Sequence, residues 1–482
     1  MMIVLDVAVG ALEETATYTD VPLPAAIRSA APRSPVTVFS QVSDMPAPMN
    51  IPPQSKSGTA AGGFANPLCA DWDDSPGRNW GDAMNGFEKQ RLSRLDDVMA
   101  GYVTNGTVPG AVLALSRHGQ VHVDQIGTMA FGAGPPMARD TIFRISSMSK
   151  PITAVAALIL LEECRLRLDD PVDRLLPELA DRRVLRRPEA EVDDTVPANR
   201  PVTVRDLLTF TWGFGMVFAG PGTLPIQAAM DEQLGRTGPP QPGRTPTSDE
   251  WMARLATLPL IHQPGTCWMY NTGSDVLSVL IERAAGQPFA DFLRERVFAP
   301  LGMVDTGFSV PPADLARFAT SYVGDPQTGR PTVYDEPSGQ WSRPPAFASG
   351  AGGLVSTIDD YLAFAQMLLD GGRRGGERIL SRPSVELMTT DQLTAEQKAA
   401  TDWTPGAFDS HGWGFGVSVR TRRDSPQSIG HYGWDGGMGT SWASDPREGL
   451  IGILLTQGMW MAPSPPDICR DFWTGAYQAL DD

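Results

Sequence analysis

Cysteine is scarce: Cys69, Cys164, Cys267 and Cys469 are far apart in 482 residues and form no CxxC or Cys/His spacing. A structural zinc site is therefore not expected, and the four thiols read as isolated, buried or semi-exposed. Long apolar runs are missing too. No stretch of about 18 apolar residues occurs, so no membrane span is expected. The N-terminal MMIVLDVAVGALEE has no basic region before its short apolar stretch and carries acids soon after, so the sequence predicts no secretory leader and a cytoplasmic location. Basic residues are the minority: 39 Lys and Arg stand against 56 Asp and Glu, a net charge of -17. That balance disfavours nucleic acid, anionic membranes and polyanionic substrates as partners, and favours an uncharged or weakly charged small molecule.

What is present is ordinary globular composition, 41% hydrophobic and 20% charged, in a chain long enough for a sizeable core. Residues 1–84 are rich in Pro, Ala, Ser and Gly, with no period of 3.6 or 2, which predicts a flexible or loosely docked extension. Residues 85–482 then form the folded part. FEKQRLSRLDDVMAGYV has helical spacing, and PGAVLALSRHGQVHVDQIG reads as two strands around a turn. Helical patterns occupy much of 155–400, and the loops between 184 and 250 read equally as a pocket wall or as solvated connections. Strand patterns return in WGFGVSVRTR, GTSWASD and GLIGILLTQG. Strands at both ends with helices between predict an α+β fold. Its antiparallel sheet would be drawn from about 87–145 and 410–482, with a helical lobe at about 155–400.

Three segments carry candidate chemistry. In IFRISSMSKPIT, a helix starting near Ser147 would bring the Lys150 amine to the Ser147 hydroxyl, although Ser-x-x-Lys also describes an ordinary helix start. In PGTCWMYNTGSDVLSVLIE, Tyr270 stands in a turn before an amphipathic helix; beside a lysine it would titrate low enough to act as a base, and otherwise it simply packs there. In HYGWDGGMGTSWASDP, Gly433, Gly436, Gly437 and Gly439 either let a substrate approach backbone donors or mark a bulge. A conventional α/β-hydrolase is disfavoured because the chain has no GxSxG elbow.

Taken in this order, the segments resemble the serine β-lactamase and penicillin-binding-protein superfamily, most closely class C β-lactamases and family VIII carboxylesterases. Ser147 and Lys150 match its Ser-x-x-Lys motif, and Tyr270 its Tyr-x-Asn or Tyr-x-Ser motif, with Thr272 at the third position. Setting the Gly-Gly pair that follows Lys-Thr-Gly on Gly436 and Gly437 puts His431, Tyr432 and Gly433 at the Lys-Thr-Gly positions, with Trp434 next. LRLDDPVDRLLPEL, VTVRDLLTFTWGFG, FLRERVFAPLGM and SGAGGLVSTIDDYLAFAQMLL also look like family segments, so the resemblance covers roughly 87–480.

The resemblance implies the β-lactamase/DD-peptidase-like fold with the site between its lobes and no metal or organic cofactor. Ser147 would attack an acyl carbonyl with Lys150 and Tyr270 as one proton-transfer unit, and the N–H groups of Ser147 and Trp434 would form the oxyanion hole. His431 would tune Tyr270 or assist water, or be a structural strand histidine. Trp212, Phe214, Trp268, Thr272, Tyr432, Gly433, Asp435, Gly436 and Gly437 are the expected substrate-binding residues; the aromatics among them would line an acyl or alcohol pocket or belong to the core. With Lys-Thr-Gly changed to His431, Tyr432 and Gly433, an ester of a short acyl chain is favoured over a β-lactam. The alternatives are a β-lactamase, a D-amino-acid peptidase or amidase, an acyltransferase to an alcohol, and a non-hydrolytic penicillin-binding sensor.

Overall fold

The computed structural model describes residues 86–481, apart from 133, 221, 236, 237, 326 and 402. The expected extension at 1–84, Cys69 included, lies outside the described residues. In chain order, the elements that position the site are α1 (Lys89–Thr104), β1 (Gly110–Arg117), β2 (Gln120–Gly127), α2 (Ser149–Glu162), α3 (Gly273–Ala285) and α4 (Ile358–Leu369), followed by β3 (His411–Trp413), β4 (Ser418–Arg420), β5 (Tyr432–Gly436), β6 (Thr440–Asp445), β7 (Leu450–Thr456) and α5 (Asp467–Gln478).

The seven strands make one antiparallel sheet in the order β3-β4-β5-β6-β7-β1-β2, so the N-terminal hairpin closes onto the last strand of the C-terminal meander. β1 is buried along its whole length because both faces of the sheet are covered. Its alternation sorts side chains between two cores. Ala111, Leu113 and Leu115 join Leu450, Leu454 and Phe472 under α1 and α5, while Val112 and Ala114 join Ile451, Ile453 and Leu455 on the other side. Gly475 lets α5 lie close to α1, since a Cβ there would stand 2.5 Å from Leu95 Cδ1.

The second core is built around α2. Its SKPITAVAALIL segment is buried from Ser149 to Leu160 and apolar from Ala154 onward, as expected of a helix packed on every side. α3 packs against α2, and α4 against β1, β6 and β7. Two helices and the sheet therefore meet at the start of α2, where the Ser-x-x-Lys segment stands. Among the described residues no helix is long and apolar enough to cross a membrane.

Candidate active site

The turn before α2 is a single 3₁₀ turn, Ser146–Met148, with Ser146 in the left-handed region at φ 45. For a residue with a Cβ this is a strained conformation, kept only where the surroundings over-determine it. They do so here. Ser149 Oγ donates to Ser146 O at 2.7 Å, Leu354 N donates to Ser149 Oγ at 3.2 Å, Tyr361 OH donates to Met148 O at 2.9 Å, and Thr440 Oγ1 donates to Ile145 O at 3.2 Å. Strand β5 presses on the same turn at Gly436, where any Cβ would collide with Ile145 O and Thr440 Oγ1. The glycine is needed for close approach.

This turn presents Ser147 to two groups. Its Oγ is 2.9 Å from Lys150 Nζ and accepts from Tyr270 OH at 2.8 Å. Lys150 Nζ also donates to Ala351 O at 2.6 Å and lies 4.6 Å above the Tyr270 ring. Tyr270 OH in turn accepts from Trp434 Nε1 at 2.9 Å. Tyr270 is aimed by the backbone on both sides: Met216 N donates to its carbonyl, and Asn271, at φ 146, turns the chain into α3. Trp268 packs behind it, stacked on Trp403 with ring centroids 4.4 Å apart.

Burial decides the protonation states. Lys150 is 1% exposed, and desolvation pushes its ammonium down to about 7, against the pull of Asp275 in the opposite direction. Burial likewise pushes Tyr270 well above its ordinary value, only partly offset by its hydrogen bonds with Ser147 and Trp434. The expectation that the lysine would lower the phenol is therefore reversed. Lys150 is the group that gives up its proton near pH 7, while Tyr270 remains a hydrogen-bond donor.

Two cavities meet at Ser147 and Tyr270. The larger, about 710 Å³, runs past Trp403, Phe408, Trp413 and Trp434 and includes Gly433 and Gly437 in its lining. The smaller, about 230 Å³, lies among Met230, Pro239, Pro240 and Pro242, with Thr272 and Asp275 on its wall. Among the described residues no group of three His, Cys, Asp or Glu side chains is placed to hold a metal ion.

Several expected site residues stand elsewhere. Trp212 and Phe214 are both 0% exposed, in the core of the helical lobe; the residue of that segment that reaches the smaller cavity is Met216. Along β5 alternation splits the segment. Tyr432, Trp434 and Gly436 face the α2 side, where Tyr432 is buried against Trp442 and only Trp434 reaches the catalytic groups. His431 and Asp435 face α5, where both still line the far part of the larger cavity: His431 packs on Trp473 and Tyr477, and Asp435 accepts from Ser441 Oγ at 2.5 Å. His431 therefore cannot tune Tyr270, and burial holds its ring well below the ordinary histidine value, in the neutral form.

The oxyanion expectation also changes. Trp434 lies opposite Trp442 and Gly439 N donates to Gly436 O, so even-numbered amides of β5 face β6; Arg420 N donates to His431 O, so odd-numbered ones face β4. The Trp434 N–H is directed into the β5–β6 ladder, and only its side chain serves the site. Residues that the motifs did not reveal are Asp275, Trp403, Phe408, Trp413 and the Ala351 carbonyl. Asp275 had a signal in its position in the first turn of the helix that follows Tyr270.

Comparison with known proteins agrees with this geometry. The Beta-lactamase family model matches residues 95–467. Protein Rv1367c of Mycobacterium tuberculosis is 40% identical over 360 residues, covering 73% of this chain and 86% of the relative. Esterase EstB of Burkholderia gladioli is 33% identical over 396 residues, covering 78% of this chain and 92% of the esterase. Among solved structures, EstCE1, a hydrolase with promiscuous acyltransferase activity, superposes with a TM-score of 0.65 at 25% identity over 81% of this chain and 99% of its own. A buried serine, lysine and tyrosine on this sheet and helix arrangement, together with the family match over most of the chain, make the protein a member of the beta-lactamase family of serine hydrolases.

Proposed function

We propose that the protein is a serine carboxylesterase of the family VIII type, cleaving esters of short acyl chains through an acyl-enzyme on Ser147. The observation that carries this reading is the Ser147 hydroxyl held between a buried amine and a buried phenol. The neutral Lys150 amine takes the Ser147 proton as Oγ bonds to the ester carbon, and the carbonyl π pair moves onto oxygen. The N–H groups of Ser147, at the start of the turn, and Gly437, at the β5 edge beyond the Ser418–Gly433 pairing, receive that charge. When the C–O bond to the alcohol breaks, Tyr270 OH protonates the departing oxygen and is reprotonated from the Lys150 ammonium, which lies over its ring, through a water. Water then repeats the cycle on the acyl-enzyme.

The cavities support an uncharged ester. The smaller one fits a short acyl group, and the aromatic one an apolar alcohol. A β-lactam would need a cation for its carboxylate, and the β5 side chain beside Tyr270 is the neutral Trp434; Arg420 and Arg470 in the larger cavity's lining are paired with Asp424 and Asp467, and Arg244 lines the smaller cavity. The kcat/KM for p-nitrophenyl butyrate is expected to exceed that for nitrocefin by at least about 100-fold, a difference in transition-state binding of about 2.7 kcal/mol. An enzyme faster on nitrocefin would overturn the ester reading. The size of the aromatic cavity also favours a second reading, transfer of the acyl group to a bound apolar alcohol, which a rate rising with added alcohol would reveal.

The same chemistry fixes a pH dependence. Lys150 must be neutral to accept the proton, so kcat/KM should rise with pH through about 7 and level off above it. Loss of a proton switches activity on, so the limb is on the acid side. Tyr270, pushed up by burial, stays protonated through this range and adds no limb. A rise that begins only near the ordinary lysine value would show that Lys150 is not held neutral near pH 7.

A further inference from the structure

Lys150 is anchored by a loop that a buried carboxylate holds from the other side. The loop is Ser349–Gly353, threaded between α2 and α3. Thr153 Oγ1 of α2 donates to Gly350 O at 2.9 Å, and Gly350 N donates to Ser278 Oγ of α3 at 2.7 Å. Gly350 cannot carry a side chain here, because a Cβ would stand 2.5 Å from Thr153 Oγ1 and 2.6 Å from Ser278 Oγ. In the first turn of α3, Asp275 accepts from Ser349 Oγ at 2.5 Å and from the Ala351 N–H, while the Ala351 carbonyl accepts from Lys150 Nζ. One residue, Ala351, thus touches the carboxylate through its N–H and the amine through its C=O.

We propose that Asp275 is a positioning residue for the proton transfer. Through Ser349 and Ala351 it fixes the carbonyl that aims Lys150 Nζ at Ser147, and across that loop it supplies the negative charge that Lys150 feels. The inference rests on Lys150 being the base. The groups facing Lys150 from the elements around it are Ser147 on its own turn, Tyr270 ahead of α3, and Asp275 on α3. Asp435 on β5 faces α5, and Arg244 lines the smaller cavity that Asp275 also borders. Asp275 is therefore the charge that acts on Lys150 from within this ring of elements. Its own carboxyl is raised by burial and lowered by Ser349, Lys150 and Ala351. The first turn of a helix, where the dipole favours a negative group, helps it stay ionised.

The test separates charge from anchoring. In Asp275→Asn the side chain keeps its size and an acceptor oxygen but loses its charge. The carboxylate favours the ammonium, so its removal should make Lys150 neutral at lower pH and move the acid limb of kcat/KM down by about one unit, the low end for an opposite charge nearby. In Ser349→Ala the charge remains and one anchor is lost, so the limb should stay in place while the plateau kcat falls several-fold. Active-site titration with a p-nitrophenyl phosphonate normalises both variants to folded, reactive enzyme. An Asp275→Asn limb at the parent pH overturns the electrostatic role, and an unchanged plateau in Ser349→Ala overturns the anchoring role. A parent enzyme with no limb near 7 would overturn both this inference and the assignment of Lys150. A parent limb near 7 that Asp275→Asn fails to move would overturn the electrostatic role while the assignment of Lys150 stands.

Discussion

Ser147→Ala is expected to remove ester turnover, with kcat falling at least about 10⁴-fold, the scale seen when a serine nucleophile is deleted. The side chain is 8% exposed, and its hydrogen bonds are those to Lys150 and Tyr270. Taking it away leaves Lys150 Nζ on Ala351 O and Tyr270 OH still accepting from Trp434 Nε1, while the freed Tyr270 O–H lies at the wall of both cavities. The variant should melt within a degree or two of the parent. Its neighbours should behave in the opposite way. Ser149 Oγ joins Ser146 O to Leu354 N, so Ser149→Ala should lower the melting temperature by several degrees, about 1 kcal/mol or more. The serines on either side of the nucleophile are a test of specificity: loss of activity without loss of stability should occur at Ser147. Hydrolysis by Ser147→Ala at the parent rate would place the nucleophile elsewhere.

Lys150→Met should be nearly as damaging, at 10² to 10⁴-fold in kcat/KM, the usual contribution of a positioned base. Methionine is close in length and apolar, and it fills the position without a desolvated amine. Burial pushes the lysine down to about 7, so its replacement should leave the protein as stable as the parent or more so. A functional group kept against its own solvation is the pattern expected of an active site. Tyr270→Phe should lose about a hundredfold by removing the donor to Ser147 Oγ. Because Lys150, Tyr270 and Ser147 form one hydrogen-bonded unit, the double variant should be little worse than the worse single one. Effects that multiply would mean that the two groups act independently. Rapid hydrolysis by Lys150→Met at neutral pH would remove the lysine from the mechanism.

The sequence made some of this architecture readable and concealed the rest for physical reasons. Ser147 and Lys150 were legible because their relation is local: three residues apart at a helix start, they meet whatever the remainder of the chain does. The sheet was legible because β1 and β7 are apolar at almost every position, as strands covered on both faces must be. The register of β5 was less so. Placing the Gly-Gly pair first put His431 in the site, yet period-2 alternation cannot bring both His431 and Trp434 to one face, and the structure gives that face to Trp434. Trp212 and Phe214 read as a pocket wall because aromatics serve cores and pockets alike; only packing distinguishes them. Asp275 stayed hidden because its partner is a peptide group from a loop some 76 residues away, at Ala351, by the difference of the two residue numbers. The Tyr270 charge state was misjudged for a related reason. Proximity to lysine is visible in a motif, whereas the desolvation that neutralises that lysine belongs to the assembled core.

The central claim is that Ser147, activated by a neutral Lys150, forms the covalent intermediate, and intact and peptide mass spectrometry of enzyme treated with p-nitrophenyl butylphosphonate addresses it most directly. The account predicts one phosphonyl group per chain, released with one p-nitrophenolate, carried on the peptide containing Ser147, absent from Ser147→Ala and acquired at least about a hundredfold more slowly by Lys150→Met. A label on any other residue, or an enzyme that goes on hydrolysing esters with Ser147 unlabelled, would contradict it.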